Sequence, residues 1–257
     1  MIPTKTPVEI SKMRAACRIA AEVLEKMSNF AKEGVSTQDL DDFGRNLMEE
    51  VGATSATFGY SGCGSKRKYP AYSCISLNDE LVHGIPSKEV ILKSGDVLSI
   101  DVALFYDGFV GDNTRIVRVG NVSSEAEKLS RVAEEALEVG ISKAVAGNRI
   151  GDISHAIEMH AGKYNCGVVR DFVGHGVGKN MHEEPPIPNY GRAHAGPVLK
   201  PGMTLAIEPM FTQGSPVVYV CDDGWTVKTR DGLLAAHCEH TILVTNSSPE
   251  ILTLVQK

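Results

Sequence analysis

Apolar positions along the chain follow two rhythms, a spacing of three to four residues and then β-rich runs, and this order occurs twice. Met13, Cys17, Ala20, Leu24 and Met27 recur at helical intervals behind Thr6-Pro7-Val8-Glu9. There Thr6 and Glu9 have capping-box spacing and Pro7 takes the first helical position, so the pattern predicts a long amphipathic helix. A second helix follows Gly34, with Ser36 as cap, Leu40, Phe43, Leu47 and Val51 on one face, and Gly52 as its stop. Cys74 to Leu77 reads as a short strand. Val97 to Val119 reads as two β-rich runs joined by Asp107-Gly108, a favoured two-residue hairpin turn. The second half predicts helices over Glu125 to Ala144 and Ile153 to Tyr164, a strand over Val168 to Val173, and two later strand-like runs.

The two halves also share words. Lys93 to Asp101 reads K-S-G-D-V-L-S-I-D and Lys200 to Glu208 reads K-P-G-M-T-L-A-I-E, each ending in a carboxylate. Asp112 to Val117 (D-N-T-R-I-V) parallels Glu239 to Val244 (E-H-T-I-L-V), and His83-Gly84-Ile85 parallels His175-Gly176-Val177. One such match is commonplace; three in the same order imply an internal repeat. The expected architecture is α+β, two pseudo-symmetric halves of about 8–120 and 123–250 within one domain of residues 1–257.

Composition narrows the class. A hydrophobic content of 42% over 257 residues supports a sizeable core, and a formal charge of −6 argues against a sequence-specific nucleic-acid binder despite the basic run Lys66-Arg67-Lys68. Met1 to Pro7 has no apolar signal-like stretch, and no uninterrupted apolar run approaches the roughly 20 residues that span a bilayer. A cytoplasmic address is expected. Six cysteines (Cys17, Cys63, Cys74, Cys166, Cys221, Cys238), with no C-x-x-C pair, read as reduced thiols.

The turn at Asp107-Gly108 sets a register in which Tyr106 faces Phe109, Asp101 faces Thr114, and Asp112 lies one diagonal step from Asp101 on the same face. Diagonal neighbours have Cα atoms about 7–8 Å apart, close enough for two carboxylates to reach one ion cluster. Taken alone, these are solvent-facing edge charges. The repeat adds Glu208 and Glu239 at matching positions, so four carboxylates converge and call for cations. His175, in G-H-G-V-G directly after a strand, adds a nitrogen donor. Four oxygen ligands and one imidazole suit manganese, iron or cobalt better than a structural zinc. His182-Glu183-Glu184 lacks the second histidine of H-E-x-x-H, and Gly174 to Lys179 fails the P-loop spacing.

I-D-V (Ile100 to Val102), G-D-N-T (Gly111 to Thr114), G-H-G-V-G (Gly174 to Gly178), H-E-E-P (His182 to Pro185), I-E-P-M (Ile207 to Met210), D-G-W-T-V-K (Asp223 to Lys228) and E-H-T (Glu239 to Thr241) together resemble the type I methionine aminopeptidases. The likeness runs from about Pro7 to Leu254. It implies the pita-bread fold, an antiparallel sheet with outer helices, and two divalent metal ions: Asp101 on one, Asp112 and Glu239 bridging, His175 and Glu208 on the other. A hydroxide bridging the ions would attack the first peptide bond of a nascent chain whose second residue is small. By the same resemblance Glu208 is the general base, His182 binds the substrate carbonyl and His83 the scissile amide. Tyr60, Tyr69, Cys74, Met181 and Trp225 would line the methionine pocket, for which core packing is the plainer reading of each. His155, His160 and His194 default to surface or packing positions, with His240 supporting Glu239.

Departures touch the pocket. Ser61 to Lys68 is longer and more basic than the usual family loop, and Met181 stands where an aromatic is common. Lys66 to Lys68 could contact ribosomal RNA transiently, although a solvated loop tip is the simpler reading. The interval between Glu208 and Glu239 is too short for the type II insertion, and the expected form is a minimal bacterial monomer. The alternatives are a proline-directed aminopeptidase of the same fold, which usually carries a further N-terminal domain, and a non-catalytic scaffold, whose signature would be missing ligands.

Overall fold

The computed structural model describes residues 2–62 and 65–255; Cys63 lies outside them. Helix α1 spans Pro7–Phe30, with the Thr6 hydroxyl accepting from the Glu9 amide and the Glu9 carboxylate accepting from the Thr6 amide. Met13, Cys17, Ala20, Leu24 and Met27 all face inward, as their spacing requires. Helix α2 spans Thr37–Glu50 behind a Ser36–Asp39 capping box and buries Leu40 and Leu47. Val51, expected on that apolar face, is instead exposed: the helix ends at Glu50 and Val51 turns out as its cap.

Five strands complete the first half: β1 (Thr54–Ser55), β2 (Cys74–Leu77), β3 (Glu80–Val82), β4 (Val97–Tyr106) and β5 (Phe109–Arg118). β4 and β5 form a ten-pair antiparallel hairpin from Val97↔Arg118 to Tyr106↔Phe109. Asp107 (φ 49°) and Gly108 (φ 78°) both take the left-handed conformation that this two-residue turn demands.

The second half begins with α3 (Ser124–Ser142) and α4 (Ile150–Lys163). α4 starts three residues earlier than the apolar rhythm suggested, because the Asp152 carboxylate accepts from the Arg149 amide and pulls in an extra turn. Ten strands follow: β6 (Gly167–Val168), β7 (Gly174–Gly176), β8 (Glu183–Ile187), β9 (Thr204–Ile207), β10 (Met210–Thr212), β11 (Val218–Val220), β12 (Val227–Thr229), β13 (Ala235–His237), β14 (Glu239–Leu243) and β15 (Glu250–Ile251). The single strand expected over Val168 to Val173 is absent. Val168 pairs with Phe211 and the Val169 amide still donates to the Met210 carbonyl, but the chain then bends so that Phe172 and Val173 line a cavity and His175 sits within β7 rather than after a strand.

The main sheet runs β1-β4-β5-β14-β9-β7-β8, with β2 added to β4 and β15 to β14, all antiparallel. Strands of both halves therefore share one sheet, joined at β5–β14. α1 and α2 cover the first half through Ile19, Leu24, Met27, Leu40 and Met48 against Ile75, Leu98 and Ile100. α3 and α4 cover the second through Val132, Ile153 and Ile157 against Leu205, Ile207 and Ile242. Fully burying a Leu or Ile side chain is worth about 1.5–3 kcal/mol, so each helix pair is anchored by several such residues. At Gly111 the sheet lies close against α1, since a Cβ there would meet the Ala16 carbonyl oxygen at 2.3 Å. The result is an α+β fold of two like halves, antiparallel within and helical outside.

Candidate metal centre and its pocket

The hairpin register puts Asp101 opposite Thr114 and Asp112 opposite Ala103, which leaves the two aspartates diagonal on one face. Glu239 opens β14 and pairs with Thr114, whose hydroxyl donates to Glu239 Oε2 at 3.0 Å. Glu208 follows directly on β9, where Ile207 pairs with His240. The repeat is thus offset in register: Asp101 pairs two residues beyond Asp112, whereas the residue before Glu208 pairs with the residue after Glu239. His175, at the centre of β7, pairs with Ala206 of β9.

All five side chains line one cavity. His175 Nε2 lies 3.5 Å from Glu208 Oε1 and 3.8 Å from Asp112 Oδ2, and the donor atoms of Asp112, His175 and Glu239 all fall within 4.8 Å of one another. Asp112, Glu208 and Glu239 are buried. Burial moves the Asp101 carboxyl from its ordinary 3.8 to about 6; the nearby His237 opposes that shift and the Glu208 charge adds to it. Burial raises Asp112 further, helped by Asp101 and Glu208. Burial also raises Glu208 and, with the neighbouring carboxylates, Glu239. Burial and then the His182 ring bring His175 down to about 3.

Among the described residues, only His175 and His237 stand within ion-pair distance of any of these four carboxylates. Asp101 Oδ1 and Glu239 Oε1 are sealed from solvent with no hydrogen-bond partner. Orphaned acceptors of this kind are costly unless a donor or cation meets them. Oxygen donors with one imidazole are a set that divalent transition ions accept, so the residues fit a metal centre.

The carboxylates form the floor of a cavity of about 740 Å³, counting its open mouth. Tyr60, Tyr69, Cys74, Met181 and Trp225 all line it. Tyr69 and Trp225 meet edge to face at 5.3 Å, and the Tyr69 hydroxyl is tied to the Gly84 carbonyl at 2.8 Å. His83 enters from the wall with a left-handed backbone (φ 58°), an uncommon conformation for a side-chain-bearing residue, and its ring lies 5.7 Å from Phe172. Burial lowers its pKa to about 4. The His182 ring stands 4.3 Å from that of His175 and its Nδ1 is 2.5 Å from the Tyr60 hydroxyl.

Two findings go beyond the sequence reading. His237, buried at the end of β13, lines the cavity with Nε2 3.3 Å from Glu208 Oε2. His237 and Glu239 are two residues apart, but they end and begin different strands, β13 and β14, so strand alternation gave no signal for the pair. His240, expected to support Glu239, instead bonds Thr253 at 2.8 Å, because strand alternation turns it to the other face. His155 faces the Gly191 carbonyl, His160 pairs with Glu135, and exposed His194 pairs with Asp152. Cys17, Cys74, Cys166, Cys221 and Cys238 are free thiols. Lys66, Arg67 and Lys68 are exposed beyond a loop base closed by Gly59–Tyr69 and Tyr69–Tyr60 backbone bonds.

Residues 11–246 match the model of metallopeptidase family M24. The chain is 45% identical over 256 residues to a methionine aminopeptidase of Clostridium acetobutylicum, covering 100% of both chains. It is similar in structure to the methionine aminopeptidase of Rickettsia prowazekii, with a TM-score of 0.94, 40% identity, and 99% of this chain and 100% of that chain covered. The prolidase of Pyrococcus furiosus shares the fold at a TM-score of 0.77 and 24% identity, covering 99% of this chain but 66% of the prolidase. The chain belongs to metallopeptidase family M24. Within that family its likeness lies with the methionine aminopeptidases.

Proposed function

We propose that the chain is a methionine aminopeptidase, releasing the N-terminal methionine of new polypeptides whose second residue is small. One observation carries this reading: a single cavity joins a floor of four carboxylates and an imidazole to a wall of Tyr60, Tyr69, Cys74, Met181 and Trp225. The floor suits metal-assisted hydrolysis; the apolar, sulfur-containing wall suits an unbranched thioether. In this reading residues 1–257 form one catalytic domain.

Asp101, Asp112, His175, Glu208 and Glu239 would hold two divalent ions, for which cobalt, manganese and iron are the candidates. Bound there, the ions supply Lewis acidity toward the scissile carbonyl and ease deprotonation of water. The rest falls to the chain. Glu208 accepts the proton of the attacking water and passes it toward the leaving amine. His182 donates a hydrogen bond to the carbonyl oxygen as negative charge develops on it. His83 orients the scissile amide. The aromatic wall closes round the methionine side chain and fixes the register of the first peptide bond.

No helix among the described residues is long and apolar enough to cross a membrane. We place the activity in the cytoplasm, on nascent N-termini and in a monomer, with Lys66 to Lys68 available for a transient ribosomal contact. The test is hydrolysis of Met-Ala-Ser after chelation and after readdition of manganese or cobalt. Methionine release that vanishes with the chelator and returns with the ion supports the reading. No release from Met-Ala-Ser, with cleavage of Ala-Pro peptides instead, would transfer the chain to the proline-directed branch.

A further inference from the structure

We infer that Tyr60 is a positioning residue for the reaction: its hydroxyl fixes the tautomer and tilt of the His182 imidazole, so that the ring presents an N–H to the substrate carbonyl. The inference deepens the aminopeptidase reading and rests on it.

The two residues are 122 positions apart, yet the phenolic oxygen and His182 Nδ1 are at hydrogen-bonding distance, 2.5 Å. Their rings meet edge to face at 5.3 Å. Neither partner hangs on a loose segment. Tyr60 sits at a closed loop base, its amide bonded to the Thr57 carbonyl (2.9 Å) and its carbonyl to the Tyr69 amide (3.0 Å). His182 is backed by the His175 ring, and its neighbour Glu183 is tied to Lys5 at 2.7 Å.

The chemistry follows from counting protons. A neutral imidazole carries one N–H, and a carbonyl oxygen or oxyanion only accepts. A ring whose Nδ1 held the proton would offer the substrate a lone pair through Nε2 and repel it. A phenol donating to Nδ1 leaves the proton on Nε2, the form able to bind the carbonyl oxygen. Tyr60 therefore has two separable tasks. Its ring contributes apolar wall; its oxygen sets the state of a neighbour before substrate arrives, which removes the cost of selecting a tautomer during the reaction.

Tyr60→Phe separates them, since it keeps the ring and deletes one oxygen. With both proteins loaded with cobalt and assayed on Met-Ala-Ser, kcat should fall about tenfold, the loss expected for one hydrogen bond to a reacting group, with KM within about twofold. A second reading uses no activity. In the zinc-loaded wild type at pH 8, above the ordinary imidazole pKa of about 6.5, nitrogen NMR of labelled histidines, assigned with His182→Gln, should show Nδ1 bare and Nε2 protonated. In Tyr60→Phe the two nitrogens should move toward an averaged position. A wild-type His182 protonated on Nδ1 overturns the inference, as does a variant with unchanged kcat or with only a raised KM. The wild-type spectrum decides the tautomer even where the variant fails to fold. A wild type that releases no methionine overturns the aminopeptidase reading instead and leaves the tautomer measurable.

Discussion

Glu208 Oε2 lies 3.3 Å from His237 Nε2, while its other oxygen faces His175 Nε2 at 3.5 Å. A carboxylate flanked at each oxygen by a different imidazole is confined between them, although neither contact is a formed hydrogen bond and His237 Nε2 has no hydrogen-bond partner. Glu208 is also fixed from its backbone, where its carbonyl accepts from Asn189 Nδ2 at 2.9 Å. His237→Leu should therefore loosen Glu208 and lower both metal affinity and kcat, by about 10- to 100-fold, as loss of a partner behind a metal-binding group commonly does. His237→Gln, which keeps a donor, should recover part of each. Metal titration and steady-state kinetics on the pair check this; equal losses in both variants would show that the polar contact of His237 with Glu208 is not the cause.

The metal-free protein should lose stability as rising pH forces its clustered carboxyl groups to ionise. Asp101 is raised to about 6, and Asp112, Glu208 and Glu239 are raised well above their ordinary values. Groups raised by folding stabilise the native state while protonated, below their unfolded pKa, and that stability drains away as pH climbs through the folded values. Four histidines, His237 buried and the others half-buried, pull the other way at lower pH: His83, His237 and His240 are depressed to about 4 and His175 to about 3. Their stabilising effect is present above about 6.5 and is lost as pH falls toward 4. The two effects oppose each other below pH 6.5, and only the carboxylate effect remains above it. Thermal melts in chelator should show Tm falling as pH climbs through the raised values of these carboxyl groups, and added manganese should abolish the fall. A flat or rising Tm in chelator would refute the assignment.

Elements decided by local interactions are legible in the amino-acid sequence. Thr6–Glu9 and Ser36–Asp39 cap helices through bonds three residues apart, and Asp107-Gly108 sets its hairpin register alone. Because register was legible, the Asp101–Asp112 diagonal was too. What escaped depends on distant partners. β13 has three residues and pairs only with β10, so no alternating pattern announced it or the His237 at its end. Residues 169–173 have strand-like composition but lie outside any strand, since the next pairing is that of Gly174 with Ile187 of β8 in the main sheet. The Tyr60–His182 bond joins a loop to the start of β8, a juxtaposition made by the whole fold.

Asp112→Asn should leave the fold intact and remove turnover. The residue is 4% exposed and its pKa is already raised, so a neutral amide of the same shape costs little in the metal-free protein. In the loaded protein it removes one of the four carboxylates, and with it several kcal/mol of favourable charge interaction, so kcat should fall by about a hundredfold or more. Metal content measured alongside activity is the check. Near wild-type turnover with a full complement of metal would exclude a role for Asp112 in holding the ions.

Lys5 and Glu183 form an ion pair at 2.7 Å with side chains only 6% and 10% exposed, and it ties the N-terminal segment to the turn that carries Met181 and His182. The Lys5 amide also donates to the Gly202 carbonyl at 2.8 Å, so the segment is held along its backbone and at its side-chain tip. Breaking a buried pair from one side strands a charge away from water, at about 3–5 kcal/mol, whereas replacing both partners with apolar groups of similar volume is close to neutral. Lys5→Met should therefore lower the denaturation midpoint clearly. The double variant Lys5→Met, Glu183→Leu should regain most of that loss in stability while still loosening the turn, because Glu183 Oε1 also accepts from the Asn180 amide at 3.2 Å. Urea unfolding of the two proteins, with methionine release assayed in parallel, separates the effects: a double variant no more stable than Lys5→Met would show that packing, not the stranded charge, sets the cost.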